Sequence, residues 1–174
     1  MTLDDRVAAI LADGGVPHAL IGAAALAAAG VARSTLDVDF LTTDARVLEP
    51  SFWNALRSAG AHVDIRRGDA DDPLAGVMRA SMPDERPVDL IVGRYEWQRR
   101  AIDRARALPT GLRVVQPRDV VLLKLYAGGT QDVWDIQQLL DAVDHVALIS
   151  QVDEDVRDLP PQAFSLWAGI RGPQ

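Results

Sequence analysis

Residues 33–41 read Arg33-Ser34-Thr35-Leu36-Asp37-Val38-Asp39-Phe40-Leu41, which sets two carboxylates two positions apart inside an apolar run. Side chains alternate along a strand, so Asp37 and Asp39 are expected on one face and Leu36, Val38 and Phe40 on the other, toward a core. Two anions held side by side repel, so one takes up a proton or a cation sits between them. Oxygen-only ligands of this kind suit Mg²⁺ or Mn²⁺. The same segment also reads as a strand fraying into a polar turn with both carboxylates in water. The rest of the chain has to separate the two readings.

Helix and strand signals alternate along the sequence. Thr2 is placed to cap a helix over 3–13, with Asp4 and Asp5 in its first turn and Gly14-Gly15 at its end. A short strand is expected at 18–21, then a helix over 23–29 closed by Gly30. The Asp-x-Asp strand covers 36–41, a turn follows at 42–44, and Pro50 opens a helix over 50–58. Strands are expected at 61–65, 77–82 and 88–92, with a loop at 69–73. An amphipathic helix over 96–107 and a strand at 112–115 come next, then helices over 118–127 and 131–141 around Gly128-Gly129. One or two short helices around Pro160-Pro161 end the chain, with Trp167 over part of the core. The pattern predicts an α/β (α+β) fold, a small mixed sheet flanked by helices with further helices at the C-terminus.

At 174 residues one domain is expected, with a core over about 15–141 and a helical, acidic C-terminal part over 142–174. The longest apolar run, around Gly22 and Gly30, is too short to span a bilayer, and the first residues lack the basic start of a signal peptide. No membrane partner is therefore expected. The chain has no cysteine, which excludes disulfides and thiol chemistry and fits a cytoplasmic protein. His18, His62 and His145 are scattered, which argues against a histidine zinc site.

The net charge of −7 argues against broad nucleic-acid binding. The charge is uneven, however. Residues 132–158 hold Asp132, Asp135, Asp141, Asp144, Asp153, Glu154, Asp155 and Asp158 against Arg157 alone, whereas 94–118 are rich in arginine. Seventeen of the eighteen basic residues are arginine, and Lys124 is the only lysine. Arginine does not replace a compact point charge on a phosphate. Lys124 also lies in the apolar run Val120-Val121-Leu122-Leu123-Lys124-Leu125-Tyr126, where its amine has to reach an anion or snorkel to solvent.

Four features then fall in order. Ile21-Gly22-Ala23-Ala24 forms a strand-to-helix turn whose backbone N–H groups suit a phosphate. Asp37 and Asp39 follow. Asp89, inside Val88-Asp89-Leu90-Ile91-Val92, adds a third carboxylate, and three carboxylates are enough to hold two divalent ions for an in-line phosphoryl displacement. Lys124 comes last, ahead of Asp132 and Asp135, which share one helix face.

This order of glycine turn, Asp-x-Asp and lone strand Asp resembles the DNA polymerase β-type nucleotidyltransferase superfamily. More narrowly, Arg33-x-Thr35-x-Asp37-x-Asp39 with Leu123-Lys124-Leu125 and Asp132-Val133-Trp134-Asp135 resembles the minimal AbiEii-type toxin nucleotidyltransferases, over about residues 18–140. The resemblance implies that Asp37, Asp39 and Asp89 ligate Mg²⁺ (or Mn²⁺), with Asp89 also helping to activate the attacking hydroxyl. It implies that Gly22 and Ala23 cradle the triphosphate of an NTP such as ATP, and that Lys124 neutralises phosphate charge. Arg33 and Thr35 would brace the site, and Asp132 and Asp135 would orient Lys124 or the acceptor. Ala23 departs from the usual Gly-Ser or Gly-Gly, keeping the backbone amide but supplying no hydroxyl.

The implied activity is transfer of a nucleoside monophosphate to an acceptor hydroxyl on RNA such as tRNA, on a protein or on a small molecule. If the resemblance extends to biology, the protein is a bacterial toxin restrained by an antitoxin. Ala23 and the small size favour a second reading, a noncatalytic relative that binds nucleotide or a partner. A third, an Asp-x-Asp phosphatase, calls for a small or hydroxyl residue soon after the second Asp, where Phe40-Leu41 instead continues the strand.

Overall fold

A computed structural model describes residues 1–172 of the chain. The elements in order are α1 (Leu3–Asp13), β1 (Ala19–Leu20), α2 (Gly22–Ala28), β2 (Val38–Thr42), two 3₁₀ turns (Ala45–Leu48, Pro50–Trp53) and α3 (Asn54–Ser58). They continue with β3 (His62–Arg67), β4 (Gly76–Ser81), β5 (Val88–Val92), α4 (Glu96–Asp103), β6 (Arg106–Ala107) and β7 (Arg113–Val114). Four helices close the chain: α5 (Pro117–Ala127), α6 (Thr130–Ala142), α7 (His145–Asp155) and, after a 3₁₀ turn, α8 (Pro161–Arg171). Among the described residues no helix is long and apolar enough to cross a membrane.

The strands form one mixed sheet in the order β3-β4-β5-β2-β1-β7-β6. β2 runs parallel to β5, and β1 parallel to β7, while the other neighbours are antiparallel. The expected mixed α/β architecture is therefore the observed one.

The apolar period decides which face each strand buries. On β5, Val88, Leu90 and Val92 are buried and Asp89 and Ile91 face the other way. On β2, Val38 and Phe40 are buried on that same side, and the register pairs Val38 with Val88 and Phe40 with Leu90. Trp53, Leu11, Leu56 and Met78 complete this core, with the Trp53 Nε1–H donating to the Val47 carbonyl at 2.7 Å. Trp167 is buried as expected, and its Nε1–H donates to Asp153 Oδ1 at 2.6 Å. Thr42, at the end of β2, is buried with its hydroxyl on the Pro17 carbonyl at 2.8 Å.

Three local expectations are corrected. β2 begins at Val38, so Leu36 is not a core residue but 84% exposed, and Asp37 precedes the strand. Thr35 causes this break: its hydroxyl donates to the Asp37 carbonyl at 3.1 Å and lies 3.2 Å from the Asp37 N–H, a local turn that competes with strand pairing. The helix expected over 96–107 ends at Asp103, because Arg106 and Ala107 pair with β7. The helix expected over 50–58 is 3₁₀ as far as Trp53 and α-helical only from Asn54.

A charged knot fixes the C-terminal helices to the body. Asp119, at the start of α5, is fully buried and paired with Arg104, which also reaches Asp155 of α7 at 3.2 Å. Arg118 approaches Asp155 at 3.5 Å. Burial pushes the Asp119 pKa up, and Arg104 and Arg118 pull it back. Removing one partner strands the other charge in the interior. Arg104→Ala is accordingly expected to destabilise the fold by about 3 kcal/mol, whereas Arg99→Ala, at an exposed pair, is expected to leave stability nearly unchanged. Urea unfolding of the two variants checks the contrast.

Candidate active site

β2 and β5 bring the two strand carboxylates together, because their parallel register sets Asp39 beside Asp89. In-register neighbours point to the same side of a sheet. This is the side opposite Phe40 and Leu90, so the buried period on one face dictates the acids on the other. Burial raises the Asp39 pKa, and the charges of Asp89 and Asp37 raise it further against the opposing pull of Lys124 and Arg33. Burial raises Asp89 as well, with Arg79 lowering it and Asp37 raising it. Among the described residues no side chain ion-pairs with or hydrogen-bonds to the Asp39 carboxylate. It is half-buried, unpartnered and next to a second acid.

The glycine turn packs directly on this carboxylate. The Ile21 N–H donates to the Asp39 carbonyl at 2.9 Å. Gly22 then has φ +58°, and a Cβ there would stand 2.3 Å from Asp39 Oδ2. Glycine is required both for the left-handed backbone and for this close approach. Gly22 and Ala23 begin α2, and Ala23 is buried.

Lys124 lies on α5 with a mostly buried side chain. Its ammonium is 2.8 Å from Asp132 Oδ1 and 2.6 Å from Asp135 Oδ2, both on α6. Asp132 also accepts from the Gly129 N–H at 3.0 Å, which ties the start of α6 to the lysine. Asp135 is fully buried and also pairs with Arg33 and accepts from Gln131 Nε2 at 3.2 Å. Asp132 and Asp135 thus hold the Lys124 ammonium between them. Arg33 braces Asp135, and Thr35 shapes the turn that holds Asp37.

Asp37 lies just before β2, beside a cation of its own. It faces Arg79 of β4, whose Nη2 lies 3.3 Å from Asp37 Oδ1 and whose Nη1 lies 2.7 Å from Asp89 Oδ2. Among the described residues no three acidic or histidine side chains are gathered closely enough to hold a metal ion. The donor set still fits a hard divalent cation: Asp39 and Asp89 are adjacent carboxylates whose pKa values are raised first by burial and then by neighbouring acids.

A cavity of about 380 Å³ opens beside Gly22 and Lys124, walled by Ile21, Leu74, Ile91, Leu123 and Tyr126. Buried Gln98 also lines it, with Oε1 accepting from the Arg94 and Tyr95 N–H groups at 2.8 and 3.0 Å. Two N–H donors on Oε1 fix the amide orientation and leave Nε2 as the side-chain donor. The Tyr126 hydroxyl donates to the Pro73 carbonyl at 3.1 Å, and burial together with Tyr95 holds its pKa well above the usual phenol value. Sequence reasoning missed Arg79, Gln98 and Tyr126. A polar residue at the unburied position of Val77-Met78-Arg79-Ala80 was the available sign for Arg79, but only strand pairing shows which acid it faces.

No known family model matches this chain, and no curated protein matches it in sequence. Solved structures do. The solution structure of the antibiotic-resistance factor ANT(2″)-Ia aligns with a TM-score of 0.56 and 13% identity over 87% of this chain and 88% of that one. The crystal structure of ANT(2″)-Ia in complex with adenylyl-2″-tobramycin aligns with a TM-score of 0.54 and 14% identity over 97% and 95%. The present chain shares the fold of these two structures over most of its length.

The contact between Gly22 and Asp39 has a measurable cost. Gly22→Ala is expected to lose more than the roughly 1–2 kcal/mol that a left-handed backbone costs an L residue, a fall in Tm beyond about 2–8 °C. Gly30 also has positive φ but nothing within 4 Å of its Cβ position, so Gly30→Ala should lose only the smaller conformational part. Equal losses in the two melting curves would show that Asp39 yields freely.

Proposed function

We propose that this protein transfers a nucleoside monophosphate from an NTP, ATP first among the candidates, to a hydroxyl of a small molecule and releases pyrophosphate. The observation that carries the reading is the half-buried, unpartnered Asp39 carboxylate, set in register with Asp89 and backed by the bare face of Gly22. A fold shared with ANT(2″)-Ia, solved with an adenylylated tobramycin, supports nucleotidyl transfer and a small hydroxyl-bearing acceptor.

The chain's own residues divide the work. The backbone amides of Gly22 and Ala23 face the triphosphate. Lys124 spends two N–H groups on Asp132 and Asp135 and offers its remaining one to a phosphate oxygen. The neighbouring cavity takes the nucleoside, with Tyr126 and Ile91 against the base. Asp89 receives the proton of the acceptor hydroxyl as its oxygen bonds to the α-phosphorus and the bond to pyrophosphate breaks. Asp37, Asp39 and Asp89 would hold Mg²⁺ or Mn²⁺, which when bound neutralises the charge developing on the phosphoryl oxygens. Asp132, Asp135, Arg33 and Thr35 position these groups from behind.

A transfer assay tests the proposal. The protein is incubated with each α-³²P-labelled NTP, with and without Mg²⁺, in an extract containing tRNA and protein and with aminoglycosides as small-molecule acceptors. Label is expected in a small product, only with metal, and Asp39→Asn is expected to reduce the rate by about 10²-fold or more. Full activity in Asp39→Asn would refute the role of that carboxylate. Label in RNA or protein instead would favour the toxin-like reading that the Arg33–Asp39 and Lys124–Asp135 motifs suggest, with an antitoxin as partner. The absence of product with every nucleotide would leave a noncatalytic domain that binds nucleotide or a partner.

A further inference from the structure

Arg79 sits between two acids on neighbouring strands. The register places Asp64 of β3 on one side of it and Asp89 of β5 on the other. Asp64 is paired with Arg66, Nε to Oδ2 at 3.0 Å. Arg79 turns the opposite way, over the acid cluster: Nη1 contacts Asp89 Oδ2 at 2.7 Å and Asp37 Oδ2 at 3.5 Å, and Nη2 contacts Asp37 Oδ1 at 3.3 Å. One planar guanidinium therefore joins the two carboxylates nearest Asp39, while its own side chain remains 46% exposed. It supplies positive charge at the place where the sequence calls for a divalent ion, and it engages oxygens of both Asp37 and Asp89.

We propose that Arg79 is a resident counter-cation of this site, holding Asp37 and Asp89 in a closed pair that a divalent ion has to displace. The inference rests on the metal-dependent transfer reading above and deepens it by naming a regulator of metal entry. The physical basis is competition. A carboxylate engaged by the guanidinium is withdrawn from metal ligation, so the apparent metal affinity falls by the fraction of molecules in which the pair is closed. A half-exposed pair is weak enough to open without unfolding anything. Asp64, in register with Arg79 on β3 and half-exposed beside Arg66, is the neighbouring anion to which a displaced guanidinium can turn.

The test is Mn²⁺ binding to the whole protein in the absence of nucleotide, followed by the paramagnetic signal of the free ion. Arg79→Gln, which removes the charge from a half-exposed position, is expected to bind Mn²⁺ about three- to tenfold more tightly than the native protein. Arg79→Lys keeps the charge but loses the two-pronged grip, and its affinity is expected between the two. Asp39→Asn serves as the site control and should bind Mn²⁺ much more weakly. Unchanged or weaker binding in Arg79→Gln, with binding still lost in Asp39→Asn, would overturn the counter-cation role while leaving the metal site standing. No Mn²⁺ binding by either the native protein or Arg79→Gln would overturn the metal site and this inference together. Urea unfolding of each variant confirms that affinities are compared between folded proteins.

Discussion

The parallel pairing of Val38–Thr42 with Val88–Val92 is the contact on which the site depends. It joins segments fifty residues apart in the chain, and hydrophobic burial drives it: Val38, Phe40, Val88, Leu90 and Val92 all lose nearly all contact with water. Because side chains alternate, the same register that closes the core also sets Asp39 beside Asp89. A slip of one residue would turn Asp89 into the core and expose Leu90. The energy that aligns two like charges therefore comes from the opposite face of the sheet, where apolar packing outweighs the cost of bringing two carboxylates together.

Around this pair, each neighbouring element supplies one response to the surplus negative charge. α2 begins with a bare glycine, so that backbone and not a side chain fills the space against Asp39. α5 and α6 deliver Lys124, held from behind by Asp132 and Asp135. β4 delivers Arg79. None of these satisfies Asp39 directly. A half-buried acid without a partner is costly in a protein that only has to fold, and this is the physical ground for reading the cleft as a place where chemistry with anionic, cation-assisted substrates occurs. The apolar cavity alongside gives a ligand with both a charged and a flat apolar part somewhere to lie.

The buried charges among the C-terminal helices have a different character. Asp119, Arg104, Arg118 and Asp155 face one another and not a cleft, and they join α5 to α7 and the end of α4. They explain part of the uneven charge seen along the sequence. Several of the acids over 132–158 that could be taken for a docking tail are internal partners: Asp135 for Lys124 and Arg33, Asp153 for Arg171 and Trp167, and Asp155 for Arg104.

Much of the architecture follows from local pattern alone. The β-branched period of 88–92, the cap and glycine signals of α1 and α5, and the apolar faces of α5 and α6 are short-range properties, and each element formed close to where those signals put it. Gly22, Asp39, Asp89 and Lys124 could be picked out because each is chemically out of place in its own segment. Tertiary structure decided what the segments could not express. Leu36 left the core because a Thr35 hydroxyl turn competes with pairing, the end of the 96–107 segment became a strand because β7 was there to receive it, and Asp37 turned to Arg79 because β4 lies next to β5. Sequence fixes which charges exist and which face of an element carries them. Which opposite charge arrives from across the sheet depends on strand order, and strand order is set by the burial of the whole chain at once.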